Sequence, residues 1–145
     1  MRVRDVLSSK GSTEIFTIAP DATVRELLEA LAEHNVGALV VSDDGGATMR
    51  GIVSERDVVR KLRDVENARE ATVESIMTSD VRRCRPDDPF GSLMVTMTEH
   101  RVRHVPVIDD DGRLVGVLSI GDAVKHRMEQ LEFERDQLNS YVSGG

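Results

Sequence analysis

Residues 24–36 read Val-Arg-Glu-Leu-Leu-Glu-Ala-Leu-Ala-Glu-His-Asn-Val, and residues 90–102 read Phe-Gly-Ser-Leu-Met-Val-Thr-Met-Thr-Glu-His-Arg-Val. The two segments share one pattern of apolar and polar positions. Pro20-Asp21 precedes the first as Pro86-Asp87 precedes the second. Downstream, Gly51-Ile-Val-Ser54-Glu-Arg-Asp57 matches Gly116-Val-Leu-Ser119-Ile-Gly-Asp122. The second copy is one residue shorter in the turn between, where Asp43-Asp44-Gly45-Gly46 faces Asp109-Asp110-Asp111-Gly112. Upstream, Val3-Arg-Asp-Val6-Leu7 corresponds to Val73-Glu-Ser-Ile76-Met77. A repeat through the whole chain limits the possible folds more than any local signal, because each copy must form the same small unit and bury its apolar face against the other.

Each copy predicts the order helix, strand, helix, strand, strand, helix. A short helix opens it, and a brief extended segment ends before Pro20 or Pro86. Leu27, Leu28 and Leu31, matched by Leu93, Met94 and Met97, then recur at helical spacing on one face. Ala38 to Val41 and Val105 to Ile108 are short apolar runs that read as buried strands, each followed by an Asp/Gly-rich hairpin turn. A second hairpin strand enters a helix at Ser54 or Ser119. The expected architecture is a mixed α/β pair of repeats, with two three-stranded sheets packed together in pseudo-twofold fashion. The boundaries are 1–66 for the first repeat, 67–128 for the second and 129–145 for a helical extension, with polar residues 64–72 as connector.

Composition narrows the function. The chain has 145 residues, a formal net charge of -7, no Trp, one Tyr and three Phe. An acidic chain without aromatic platforms is not expected to bind nucleic acid. No apolar run reaches the length of a membrane span, and the N-terminus lacks the apolar stretch of a secretory signal, so no membrane partner is expected. Cys84 is the only cysteine, which fits a reducing, cytoplasmic setting. No Walker P-loop, metal-ligand spacing or nucleophile set appears, so no catalytic cofactor and no enzymatic activity are expected.

The residues best suited to ligand chemistry are Ser54 with Asp57 and Ser119 with Asp122. A carboxylate can accept from both hydroxyls of a ribose, and a Ser at a helix start can meet a phosphate beside the first backbone N–H groups. The same spacing also makes a helix capping box, with Asp where Glu or Gln is usual. Both readings stand at this level. Arg103 and His104 precede the second repeat's strand where the first repeat has Gly37 and Ala38. Phosphate donors are therefore concentrated in one copy, while Gly37 and Ala38 leave room in the other. His34 and His100 end equivalent helices, where a cation suits the dipole.

The two Gly-h-h-Ser-x-x-Asp elements (h, hydrophobic), His104-Val105-Pro106-Val107-Ile108-Asp109 and Ile76-Met77-Thr78 resemble the CBS-domain pair over nearly the whole chain. His34 to Val41 and the ending Leu138-Asn139-Ser140-Tyr141 resemble small stand-alone members from bacteria and plant organelles. The resemblance implies binding of AMP, ADP or ATP, or in some members NAD or S-adenosylmethionine, in clefts between the repeats. It also implies a homodimer that regulates an unidentified partner protein. It pairs Arg103, His104 and Arg56 with the Asp57 site, and leaves Gly37 and Ala38 beside Asp122, where Lys10 or Arg82 could reach. Adenine contacts would come from Thr17, Ile18 and Ala19 and from Arg83 to Arg85, walled by Val36, Val102, Val105 and Pro106. Two unequal sites are expected. The competing reading is an interaction module without ligand, acting through the apolar stripe Val124, Met128, Leu131, Leu138 and Val142.

Overall fold

The computed structural model describes residues 1–10 and 15–144. The first repeat comprises helix α1 (Val3–Ser9), strand β1 (Thr17–Ile18), helix α2 (Val24–His34), strands β2 (Ala38–Val41) and β3 (Gly51–Ser54), and helix α3 (Glu55–Leu62). A single 3-10 turn, Ala68–Glu70, lies in the connector. The second repeat supplies α4 (Val73–Ile76), α5 (Phe90–Glu99), β4 (His104–Ile108), β5 (Leu114–Ser119) and α6 (Ile120–Val142).

Local chemistry accounts for these elements. Thr23 caps α2, its hydroxyl accepting from the Glu26 N–H at 3.2 Å, and Asn35 ends the helix in the left-handed region. Apolar spacing along α2 buries Val24, Leu27 and Leu31, and α5 buries Phe90, Leu93 and Met97 at matching positions. Both acidic turns close through left-handed glycines, Gly45 and Gly46 in one and Gly112 in the other.

The sheets differ in a way the repeat did not predict. The first has three strands, β1 parallel to β2 and β2 antiparallel to β3. The second has only β4 and β5, with the expected third strand reduced to one parallel bridge, Cys84 to Val107. Pro106 is the cause. In the first repeat Val40 donates its N–H to the Phe16 carbonyl at 3.3 Å, and Ser42 donates to Ile18 at 3.0 Å. Ile108 makes the second of these bonds, to the Cys84 carbonyl at 2.9 Å. Pro106 stands where Val40 would donate and has no N–H to give.

The opening helices cross over. Val3 and Val6 of α1 are buried with Phe90, Leu93, Val105, Val107 and Leu118 of the second repeat. Val73 and Ile76 of α4 join Val24, Leu27, Leu39, Val41 and Val53 of the first. Backbone bonds repeat the exchange. Val3 and Arg4 donate to the Asp88 and Pro86 carbonyls, both at 2.9 Å, while Val73 and Glu74 donate to Ala22 and Pro20 at 2.8 and 2.9 Å. Each opening helix thus has its unpaired first-turn N–H groups satisfied by the other repeat's loop. The sequence repeats are not the packing units.

The pseudo-symmetry fails once more, after the opening helices. Past α4, Thr78 pairs with Ile52 on the edge of β3, the two exchanging N–H bonds of 2.8 and 2.9 Å. The α1 helix instead runs on to Ser9, placing Leu7 over Gly116 and Lys10 against β5. That extra turn shapes the site described next.

Candidate functional site

Ser54 and Ser119 end a strand and cap the following helix. The Asp57 N–H donates to Ser54 Oγ at 3.2 Å and the Ser54 N–H donates to Asp57 Oδ2 at 2.9 Å. In the second repeat the same bonds are 3.1 and 2.8 Å. The first helical N–H is also closed alike in both copies, Glu55 donating to the Gly37 carbonyl at 3.0 Å and Ile120 to Arg103 at 2.8 Å. Both motifs are therefore complete capping boxes. A box engages only part of a carboxylate, so its surroundings decide what else the Asp can do.

Those surroundings differ. Asp57 lies 3.3 Å from Lys61 one turn along its own helix, and Lys61 also donates to the Ile76 carbonyl at 2.7 Å. Asp122 borders a cavity of about 530 Å³ between the two repeats, within the range of small-molecule sites. Leu7, Ile15, Phe16, Val36, Leu39, Val40, Ile52, Val115 and Val117 form apolar walls, and Lys10, His104, Ser119 and Asp122 supply most of the polar chemistry. His34 stacks on the wall residue Phe16, with ring centroids 3.8 Å apart.

The polar end is tightly coupled. Lys10 Nζ stands 3.0 Å from Asp122 Oδ2 and donates to the Val117 carbonyl at 2.8 Å. Burial alone would push the Asp122 carboxyl up, but the Ser119 N–H and the Lys10 ammonium together bring it below the ordinary aspartate value. His104 is half-buried, and burial holds its imidazole below the usual value. Asp122 and Glu55 oppose that effect, and Lys10 and Arg103 reinforce it.

Of the expected site residues, Gly37, Ala38, His104, Ser119 and Asp122 come together around this cavity. Ser54, Arg56 and Asp57 do not line it; Arg56 is exposed on α3. The expected assignment of His104 to the Asp57 site differs from what is observed. The β4–β5 ladder sets His104 directly across from Ser119 of its own repeat, which turns it toward Asp122. Arg103 is exposed, and its carbonyl closes α6. Val105 and Pro106 are fully buried in β4 and are not among the residues that line this cavity. Thr17 and Ile18 form β1 and Ala19 is exposed beyond it, while Ile15 and Phe16 hold the wall expected from that segment. Arg85 donates its backbone N–H to Asp88 at 2.8 Å, and its guanidinium lies 3.5 Å from Asp110.

Lys10 reaches the Asp122 cleft as the sequence suggested. Leu7 and Phe16 carried no signal as wall residues, because their place depends on the crossed α1 and on an inter-repeat space. The described residues hold no group of three side chains suited to a metal ion. No helix among them is long and apolar enough to cross a membrane.

The sequence pattern of the CBS domain matches residues 3–64 and again 73–129. The chain is a pair of CBS domains. The mitochondrial CBS domain-containing protein CBSX3 of Arabidopsis thaliana is 35% identical over 150 residues, spanning 99% of this chain and 72% of that protein. A solved CBS-domain containing protein from Agrobacterium tumefaciens is 39% identical, with a TM-score of 0.81 over 88% of this chain and 99% of that one. A third CBS domain pair was solved in complex with 5′-methylthioadenosine and S-adenosyl-L-methionine. It is 26% identical, with a TM-score of 0.76 over 90% of this chain and 98% of its own. In this CBS pair, Ser119 and Asp122 of the second domain face the inter-domain cavity, and Lys10 comes from the helix that crosses over from the first.

Proposed function

We propose that this CBS pair is a sensor that binds an adenosine-containing small molecule in the Asp122 cavity and modulates a partner protein, without catalysis. The observation that carries the reading is a capped carboxylate, Asp122, at the polar end of an apolar inter-domain cavity of about 530 Å³. Adenine and ribose need this combination, an apolar slot and an acceptor for the ribose hydroxyls. Among the described residues, the Ser119 and Lys10 contacts both fall on Oδ2, so Oδ1 is the oxygen a ribose diol would take. The related pair that holds 5′-methylthioadenosine and S-adenosyl-L-methionine supports the adenosine part.

AMP, ADP and ATP are the leading candidates, followed by NAD and S-adenosylmethionine. Lys10 is the cation a 5′-phosphate would recruit, at the cost of its bond to Asp122. Because both domains and α1 contribute walls, occupancy can bias their spacing, provided the ligand prefers one spacing over another. The same reading has the pair act as a homodimer in a reducing compartment such as the cytoplasm.

Calorimetry with each of the five ligands tests this. Asp122→Ala is expected to weaken binding roughly 10- to 100-fold, the worth of hydrogen bonds to a charged group, while Asp57→Ala retains it. Failure of all five ligands to bind, or unchanged binding in Asp122→Ala, would sink the proposal.

A further inference from the structure

Among the described residues, the polar end of the Asp122 cavity has no spare positive charge. Lys10, from α1, lies 3.0 Å from Asp122 Oδ2 and donates to the Val117 carbonyl at 2.8 Å, so its ammonium is already engaged and its charge is matched. Glu55, the first residue of α3, brings a carboxylate from the other domain. A side-chain carbon on Gly37 would stand 3.5 Å from Glu55 Oε1 and 3.8 Å from His104 Cε1, so the carboxylate and the imidazole crowd the same point. Glu55 and Arg103 are both exposed, and solvent screens their effect. An anionic ligand therefore meets a neutral ion pair. Drawing Lys10 onto that ligand uncovers the Asp122 carboxylate beside it, so the charge is still not matched.

His104 is the group that can change this balance near neutral pH. It opens β4 opposite Ser119, and it lines the cavity. The charged groups that act on it are Asp122 of α6, Glu55 of α3, Lys10 of α1 and Arg103 just before β4. Two are carboxylates and two are cations, so they oppose one another, and burial, the largest effect, keeps the ring neutral. A phosphate seated in the same cavity adds negative charge on one side of that balance only.

We infer that the cavity takes up a proton together with an anionic adenosine ligand, His104 being the group that carries it, so that this CBS pair reads acidity and ligand jointly. The inference rests on the ligand reading of the cavity and adds a regulation to it. The imidazole titrates at higher pH in the complex than in the free chain. Affinity for the anion then rises as pH falls from the first of these values to the second. A neutral ligand such as adenosine binds without the proton.

Calorimetry with AMP and with adenosine, at pH 8 and pH 6, tests this on the full chain and on His104→Gln. Circular dichroism shows that both chains are folded. The wild type is expected to bind AMP about tenfold more tightly at pH 6, the low end of what one adjacent opposite charge does to a titrating group. His104→Gln loses that gain, which separates the imidazole from the AMP phosphate, itself titrating near pH 6. Adenosine is expected to bind each chain alike at the two pH values, within about twofold. In the imidazole NMR spectrum, the signal missing from the variant identifies His104. AMP should move its titration to higher pH, and adenosine should leave it in place. An AMP affinity with the same pH response in both chains, or a His104 titration that AMP does not move, overturns the inference and leaves the ligand reading standing. Failure of both ligands to bind overturns both.

Discussion

Gly51 and Gly116 hold the same place in the two copies of the motif, yet a methyl group should cost far more at one than at the other. Both lie in strands and neither has a left-handed backbone, so a substitution acts through its neighbours. A Cβ on Gly51 would stand 2.5 Å from the Thr78 carbonyl oxygen and 3.2 Å from Met77 Sδ. Thr78 is held there by its reciprocal bonds with Ile52, so the backbone after α4 must move off β3. Losing those two bonds costs about 1–3 kcal/mol, and strain from overpacking adds about 1–3 kcal/mol where the neighbour cannot yield. The stiffer unfolded chain returns about 0.4–1 kcal/mol. A net loss of about 2–4 kcal/mol follows, or roughly 5–15 °C in Tm for a domain of this size.

At Gly116 the nearest atom is Leu7 Cδ2 at 2.7 Å, and the other Leu7 atoms near it are at 3.8 Å. A leucine methyl beside an open cavity can swing aside, so Gly116→Ala should cost less than about 1 kcal/mol. The displaced Leu7 lines the cavity, so this variant should weaken ligand binding more than stability. Urea unfolding followed by circular dichroism measures both variants. Losses within about 0.5 kcal/mol of each other, or the reverse order, would refute the reasoning, because it rests on a backbone neighbour at one glycine and a flexible side chain at the other.

Two further predictions concern titratable groups. His104 is held below the ordinary imidazole value first by burial, so it should be neutral at pH 7 and titrate below about 6.5 by NMR. Its contribution to stability is present above the unfolded value and lost as pH falls through the depressed folded value, so His104→Gln should flatten the acid side of the stability profile. An unchanged slope would contradict this. Burial, with a smaller effect from Asp88, pushes the Cys84 thiol up to about 12. Near pH 8 a thiol reagent should react about a thousandfold more slowly with the folded chain than with the unfolded one, and comparable rates would be inconsistent with that burial.

Much of the architecture is legible in the sequence. The spacing of Leu27 and Leu31, and of Leu93 and Met97, marked α2 and α5. Ser54 and Ser119 marked helix starts, and the Asp/Gly turns marked both hairpins. These signals act over a few residues, and nothing distant overrode them. The lost third strand of the second sheet was legible in principle, since Pro106 announces a missing donor, but only after Val40 is known to supply the matching bond. The site was read less well. Gly37, Ala38, Ser119 and Asp122 fall together around the cavity. Val105 and Pro106 are buried in β4 away from this cavity's lining, and His104 turns to the carboxylate of its own repeat.

The sequence by itself determined that the chain contains one unit twice, in what order its elements come, and that each Ser-x-x-Asp stands at a helix start. It could not determine which core each opening helix would join. Val3 and Val6 could bury themselves beside either repeat, because the two apolar faces are nearly alike and local propensity is the same in both cases. Only the assembled structure settles that choice, through the reciprocal bonds of Val3 to Asp88 and Val73 to Ala22. With the choice comes the difference between the copies. The crossed α1 carries an extra turn that brings Leu7 and Lys10 to the second repeat, whereas α4 sends Thr78 onto β3. Two nearly equal capping boxes come to differ, Asp122 bordering the cavity beside Lys10 and Asp57 pairing with Lys61 of its own helix, because contacts between distant segments are set by burial across the whole molecule.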